Sequence, residues 1–126
     1  MPRLDADRLE AWNTTRAEVE RVARAIDADL QAEWAVPLAW FDVLGELRAA
    51  EGRARPQDVA AALGIPRATL SRRIDRLEEE GWVQRHPGHD PNDHRAVIIE
   101  LTPRGRTLWR AMNHTYRKSV NQHWPR

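Results

Sequence analysis

Arg67-Ala68-Thr69-Leu70-Ser71-Arg72-Arg73-Ile74-Asp75-Arg76-Leu77-Glu78-Glu79-Glu80-Gly81 decides the reading of this chain, because two stripes are laid over each other in it. Placed on a helix at ~100° per residue, Leu70, Ile74 and Leu77 fall within about 60° of one another and form an inward ridge. Thr69, Arg72, Arg73 and Arg76 stand at i, i+3, i+4 and i+7, on a stripe centred roughly 120° from the first. One face packs, and the other presents guanidinium groups and a hydroxyl. A helix lying in the major groove of DNA needs this division, with arginine available to bridge guanine O6 and N7 or to bind phosphate. Asp75, Glu78 and Glu79 fall on the remaining arc. The same pattern also describes a solvated helix face with i,i+4 ion pairs, so the neighbouring segments decide between the two.

Upstream, Pro56 can open a short helix whose apolar side is Val59, Ala60 and Leu63, and Gly64 can close it. Only Gly64-Ile65-Pro66 separates that helix from the next, which gives the spacing of a helix-turn-helix. Downstream of Gly81 the period becomes alternating. Trp82 to His86 predicts a strand, Pro87 to His94 a long turn-rich tip, and Val97, Ile99 and Leu101 one face of the returning strand. At the tip, Asp93 precedes Arg95 by two residues, so its carboxylate can orient the guanidinium. An arginine held there suits a narrow, electronegative minor groove. Thr102-Pro103 then supplies an N-cap and a first-turn proline for a last helix carrying Leu108, Trp109, Met112, Tyr116 and Val120. Before the helix-turn-helix, Leu9, Trp12, Val19, Ala23, Ile26 and Leu30 mark a long first helix, its start offered by Asp5 or by the capping box Thr15-x-x-Glu18. Trp40, Phe41, Val43, Leu44 and Leu47 mark a second. The fold class is mainly α with a small β-hairpin wing, a winged helix-turn-helix, in one domain over residues 1–126.

The run Ala68 to Arg85, followed by Asp90-Pro91-Asn92-Asp93-His94-Arg95-Ala96-Val97 and Leu101-Thr102-Pro103-Arg104-Gly105, resembles the MarR family of bacterial transcriptional regulators. The resemblance covers about residues 37–110. It implies a DNA-binding lobe over about 37–102, with dimerisation helices over about 5–34 and 103–123. The helix from Arg67 would enter the major groove, Arg95 would reach the minor groove with Asp93 as its orienter, and Ser71 would contact phosphate. The partner implied is double-stranded DNA, a pseudo-palindromic operator bound by a homodimer. A small, often aromatic and anionic effector would bind between the dimerisation helices and the DNA-binding lobe. Trp12, Arg16 and Trp40 lie on helices that border such a pocket, where an arginine between aromatic rings would suit an aromatic carboxylate; core tryptophans and a surface arginine are the plainer account. Two departures stand out. Pro66 occupies a position where the family often has a capping Ser or Thr, and 24 residues run from Pro103 to the end, fewer than two further helices need. The dimer is therefore expected to rest mainly on the first and last helices.

The charge is unevenly distributed, although its formal sum is only +1. Residues 1–52 hold 6 arginines against 11 acids, whereas residues 107–126 hold 4 basic residues and no acid. Cysteine is absent, which removes disulfides, thiolate metal sites and sulfur redox switches. The first ten residues carry no apolar signal region, and no stretch approaches the roughly 18 apolar residues of a membrane span. The expectation is a soluble, cytoplasmic protein. His86, His89 and His94, with Asp90 and Asp93 between them, match no defined zinc motif. Ser71 and Ser119 lie in no nucleophile elbow, and no phosphate-binding glycine loop is present. No metal, no cofactor and no enzymatic activity are expected. The rival class is a winged-helix protein-interaction module, or a mixed-dimer partner without ligand response, and the basic stripe argues against it.

Overall fold

Proline and glycine set most of the boundaries seen in the computed structural model, which describes residues 2–125. Helix α1 spans Pro2–Trp34, α2 Leu38–Ala49, α3 Pro56–Leu63, α4 Arg67–Glu79 and α5 Pro103–His123. Pro56 and Pro103 both sit in the first turn of their helices, where the missing N–H costs nothing. Gly64 ends α3 in the left-handed conformation, at φ 66°, and its N–H and that of Ile65 return to the carbonyls of Ala61 and Ala60. Thr102 caps α5 by accepting the Gly105 N–H at 3.0 Å while its own hydroxyl donates to the Gly81 carbonyl at 2.7 Å. That side chain thus ties the end of the wing to the residue that closes α4. Neither Pro66 before α4 nor Pro37 before α2 provides a side-chain cap. At α2 the service comes from afar, because Asp27 of α1 accepts the Leu38 N–H at 2.8 Å.

Strands β2 (Val83–Pro87) and β3 (Val97–Leu101) pair antiparallel with Val83 opposite Leu101 and Pro87 opposite Val97. A third strand that the sequence pattern does not announce, β1 (Arg53–Ala54), pairs with β3 to give the order β1-β3-β2. Two residues carry no periodicity, so β1 is a product of the tertiary fold and leaves no local signal. The first helix begins at Pro2, earlier than either expected cap.

Two apolar clusters hold the molecule. The first lies beneath the helix-turn-helix and the sheet, where Leu44, Leu47, Val59, Leu70, Ile74 and Leu77 meet Val83, Ile99 and Leu101. The second joins α1, α2 and α5 through Val22, Ile26, Leu30, Phe41 and Met112. Trp40, Trp82, Leu108 and Trp109 pack on both, so the two clusters form a continuous core. Phe41 stacks on Trp109 with ring centroids 6.1 Å apart, and Trp40 meets Trp82 edge-on at 6.5 Å. The inward ridge of α4 is as its periodicity predicts, with Leu70, Ile74 and Leu77 all buried. The expected seam of α1 is only half inward, since Leu9, Trp12 and Val19 are exposed at 54%, 58% and 47%.

Candidate nucleic-acid interface

Helix α4 keeps its two stripes apart. On the second stripe Arg72 and Arg76 are exposed and Thr69 is half-buried, while Arg67 and Ser71 are exposed on the arc that carries Asp75 and Glu78. Their ties to the chain are loose: Arg72 reaches Thr69 Oγ1 at 3.4 Å, Arg76 lies 3.9 Å from Glu79, and Arg67 donates to Gln57 at 2.9 Å. Exposed pairs of this kind leave guanidinium groups free to exchange partners. Arg73 departs from the expected stripe. It is half-buried and lines a cleft of about 450 Å³ together with Arg24 and Asp27 of α1 and Asp42 of α2. Burial pushes the Asp42 carboxyl above its usual range, with the Arg73 charge pulling the other way.

A brace absent from the expectations fixes α4 against the wing. The Arg85 guanidinium, on β2, pairs with Asp75 at 2.8 Å and Glu78 at 2.9 Å and donates to the Ser71 carbonyl at 3.1 Å. Its backbone N–H donates to Glu78 as well, at 3.0 Å. Two of the three acids on the third arc of α4, Asp75 and Glu78, therefore face the strand and hold it. Their spacing at i and i+3 was visible, but the partner strand's register was not. Ser71, expected to contact phosphate, keeps its hydroxyl within 3.4 Å of Arg85.

The wing loop is organised differently from the sequence reading. Asp93 does not orient the Arg95 guanidinium; its carboxylate accepts the backbone N–H of Arg95 at 2.9 Å. The physical reason is distance along the chain, since an aspartate reaches the amide two residues on most readily, in an Asx turn. Arg95 is left exposed, as are Pro91 to His94. The ion pair in this loop belongs to Asp90, which is 1% exposed. Its Oδ1 accepts from Arg55 Nη2 at 2.9 Å and from the Asn92 N–H at 2.9 Å, while Oδ2 lies against Arg55 Nε. The hydrogen bond from Arg55, then that from Asn92, holds the Asp90 carboxyl below the usual carboxylate range. Residues 35 apart in sequence give no local signal for such a pair.

Trp12, Arg16 and Trp40 are not brought together within the chain. Arg16 stands 6.0 Å above the Trp12 ring on the exposed part of α1, whereas Trp40 is packed between the two core clusters against Trp82. The cleft between α1 and the helix-turn-helix is lined by Arg24 and Arg73 instead. His86 pairs with Glu100 at 2.9 Å and stacks on His89 at 5.1 Å. Among the described residues no three such side chains converge on a metal position.

The family model described as "MarR family" matches residues 36–96 of the chain. The HTH-type transcriptional regulator PecS of Dickeya dadantii is 31% identical over 119 residues, covering 82% of this chain and 70% of PecS. The multiple antibiotic resistance protein MarR of Salmonella typhimurium is 38% identical over 68 residues, 54% of this chain and 45% of that protein. The chain thus spans under half the length of that relative. Among solved structures, Sco3205 from Streptomyces coelicolor, a MarR-family transcriptional regulator in complex with DNA, superposes with a TM-score of 0.82 at 27% identity. That match covers 94% of this chain and 74% of Sco3205.

Proposed function

The chain belongs to the MarR family of transcriptional regulators, and on that footing we propose that it is a sequence-specific double-stranded DNA-binding protein acting as a homodimeric repressor. The observation that carries the reading is the pair of exposed guanidinium groups on the outward stripe of α4, Arg72 and Arg76, with Arg67 exposed in the first turn of that helix and Arg95 exposed on the wing. The helix and the wing are fixed to each other by Arg85 and by Thr102, so the two elements need not be ordered relative to each other when they engage one duplex. Arg72 and Arg76 would read base edges in the major groove, Arg67, Thr69 and Ser71 would bind backbone phosphate, and Arg95 would enter the minor groove. Asp93 sets the turn that projects Arg95. A complex of Sco3205 with DNA lends this support by its fold.

Two finer parts of the reading rest on other surfaces. Exposed Leu9, Trp12 and Val19 support a second copy of the chain on α1, which would place two α4 helices on the half-sites of a pseudo-palindrome. The cleft holding Arg24 and Arg73 supports release by a small anionic aromatic ligand, because Arg73 leaves the α4 stripe to line it. Selection of bound sequences from a random duplex pool tests the core claim. An enriched inverted repeat with half-sites about one helical turn apart is expected, and a pool that stays unenriched would sink the specific-regulator reading. Thermal shifts against aromatic carboxylates test the ligand, since a compound bound to the native state must raise the midpoint.

A further inference from the structure

We propose that Arg55 is a positioning residue for the wing: through Asp90 it fixes the loop that carries Arg95 relative to α4. The consequence for recognition rests on the DNA-binding reading above, while the clamp stands on the chain's own geometry. Among the described residues Asp90 is the one ionisable side chain that is fully buried, and it lies in a loop whose next five residues are all exposed. The other hydrogen bonds of the loop are internal. Gly88 donates to Ala96 at 3.0 Å, Asp93 to the Asp90 carbonyl at 3.3 Å and Ala96 to the Asp93 carbonyl at 3.0 Å. Asn92 and Arg95 donate to the carboxylates of Asp90 and Asp93. Among the described residues, the Arg55 guanidinium is the one group from outside the β2–β3 hairpin that hydrogen-bonds residues 88–96.

The position of Arg55 makes this tie consequential. It is the residue before α3, and it directly follows β1, whose Arg53 and Ala54 pair with Glu100 and Ile99 of β3. Its backbone is therefore held by the sheet on one side and by the helix-turn-helix on the other, and its two-point contact with Asp90 passes that rigidity to the wing loop. A loop released from Arg55 would keep its internal turns and lose its fixed offset from Arg72 and Arg76. A fixed offset is what lets groove contacts on two elements add up on one duplex.

The rival account is that Arg55 is one more cation facing phosphate. The two accounts predict opposite signs for Asp90→Asn. Removing an acid from a DNA-facing loop should raise affinity by simple Coulomb attraction, whereas a released wing should lower it. The experiment uses the full chain, the selected duplex and a second duplex with its AT-rich flanks replaced by GC pairs. Asp90→Asn and Arg55→Lys are each expected to lose preference for the AT flank by about as much as Arg95→Ala, on the order of tenfold. Neither should add to the loss already caused by Arg95→Ala. Both should speed hydrogen exchange at residues 88–96 in the free protein while leaving Leu70 to Leu77 protected. Tighter binding by Asp90→Asn, full retention of flank preference by Arg55→Lys, or an additive loss with Arg95→Ala would overturn the positioning role. Should Asp90→Asn fail to fold, Arg55→Lys carries the same comparisons. If the wild-type chain binds no duplex, the DNA-binding reading fails, and unchanged exchange at 88–96 would then reject the clamp separately.

Discussion

A β-carbon at position 105 would lie 2.0 Å from the carbonyl oxygen of Trp82. Glycine stands there because the first turn of α5 crosses the start of the wing at backbone contact distance, an approach that any side chain would force open. Gly105→Ala should therefore destabilise the fold by about 3 kcal/mol, measured by urea unfolding. Charged residues in the same molecule set its pH response, in two opposite senses. Hydrogen bonds from Ser119 and His123 hold the Asp29 carboxyl below the usual value of 3.8. A group depressed on folding contributes stability above its unfolded pKa and loses it as the pH falls through the folded one. Asp29→Asn should therefore lower the thermal midpoint at pH 7 and match the wild type at strongly acidic pH. Asp42 is raised by burial, so the native state holds its proton to a higher pH than the unfolded chain does, and stability is lost as the pH rises from 3.8 through the folded value. Asp42→Asn should raise the midpoint at pH 7, and that gain should vanish once the pH drops beneath the unfolded value. Thermal melts of both variants across this range would read the two signs directly.

At the scale of the element, α4 separates arginines by what they face. Arg72→Ala and Arg76→Ala should each cost about 1–3 kcal/mol of specific DNA binding and relax base preference, while Arg67→Ala should lower the salt slope by about one across all sequences. Arg73→Ala should cost less than either, because its side chain lines the cleft with Asp42; titrations of these variants on the selected duplex over a range of salt would show the ranking. The sequence carried the element order because the period changes at Gly81 and the boundaries fall on Pro56, Gly64 and Pro103, all features confined to a few neighbouring residues. It carried the buried ridge of α4 for the same reason. What it did not carry depends on long-range geometry: the pairing of Arg53–Ala54 with β3, the turn of Arg73 toward α2, the brace from Arg85 and the reach of Arg55 to Asp90. Ion pairs between acids on a helix and an arginine on a strand require a register that no periodicity encodes.

For the molecule as a whole, α1 poses the largest question. On a helix at ~100° per residue, Leu9, Trp12 and Val19 share a face with Ile26 and Leu30, yet only the latter pair is buried. The apolar face therefore runs on past the body that covers its C-terminal half. A periodic seam in a sequence states that a face will be covered, and it does not state by which chain. An exposed apolar stripe on a projecting helix, interrupted here at Arg16, is a surface that monomers avoid, and a second copy would cover it by two-fold symmetry. The charge distribution fits that arrangement, since acids predominate over residues 1–52 and bases alone occupy 107–126, which orients partners more than it binds them. Trp12→Glu combined with Val19→Glu should then break the dimer without touching the core, because both side chains are exposed. Sedimentation velocity of the pure protein should show a dimer for the wild type and a monomer for the variant, at unchanged helix content by circular dichroism. On DNA the variant should bind one half-site as well as before and lose the gain from the second, since joining two half-site readers makes the second contact intramolecular. A wild-type chain that sediments as a monomer at every concentration would leave the stripe without this explanation.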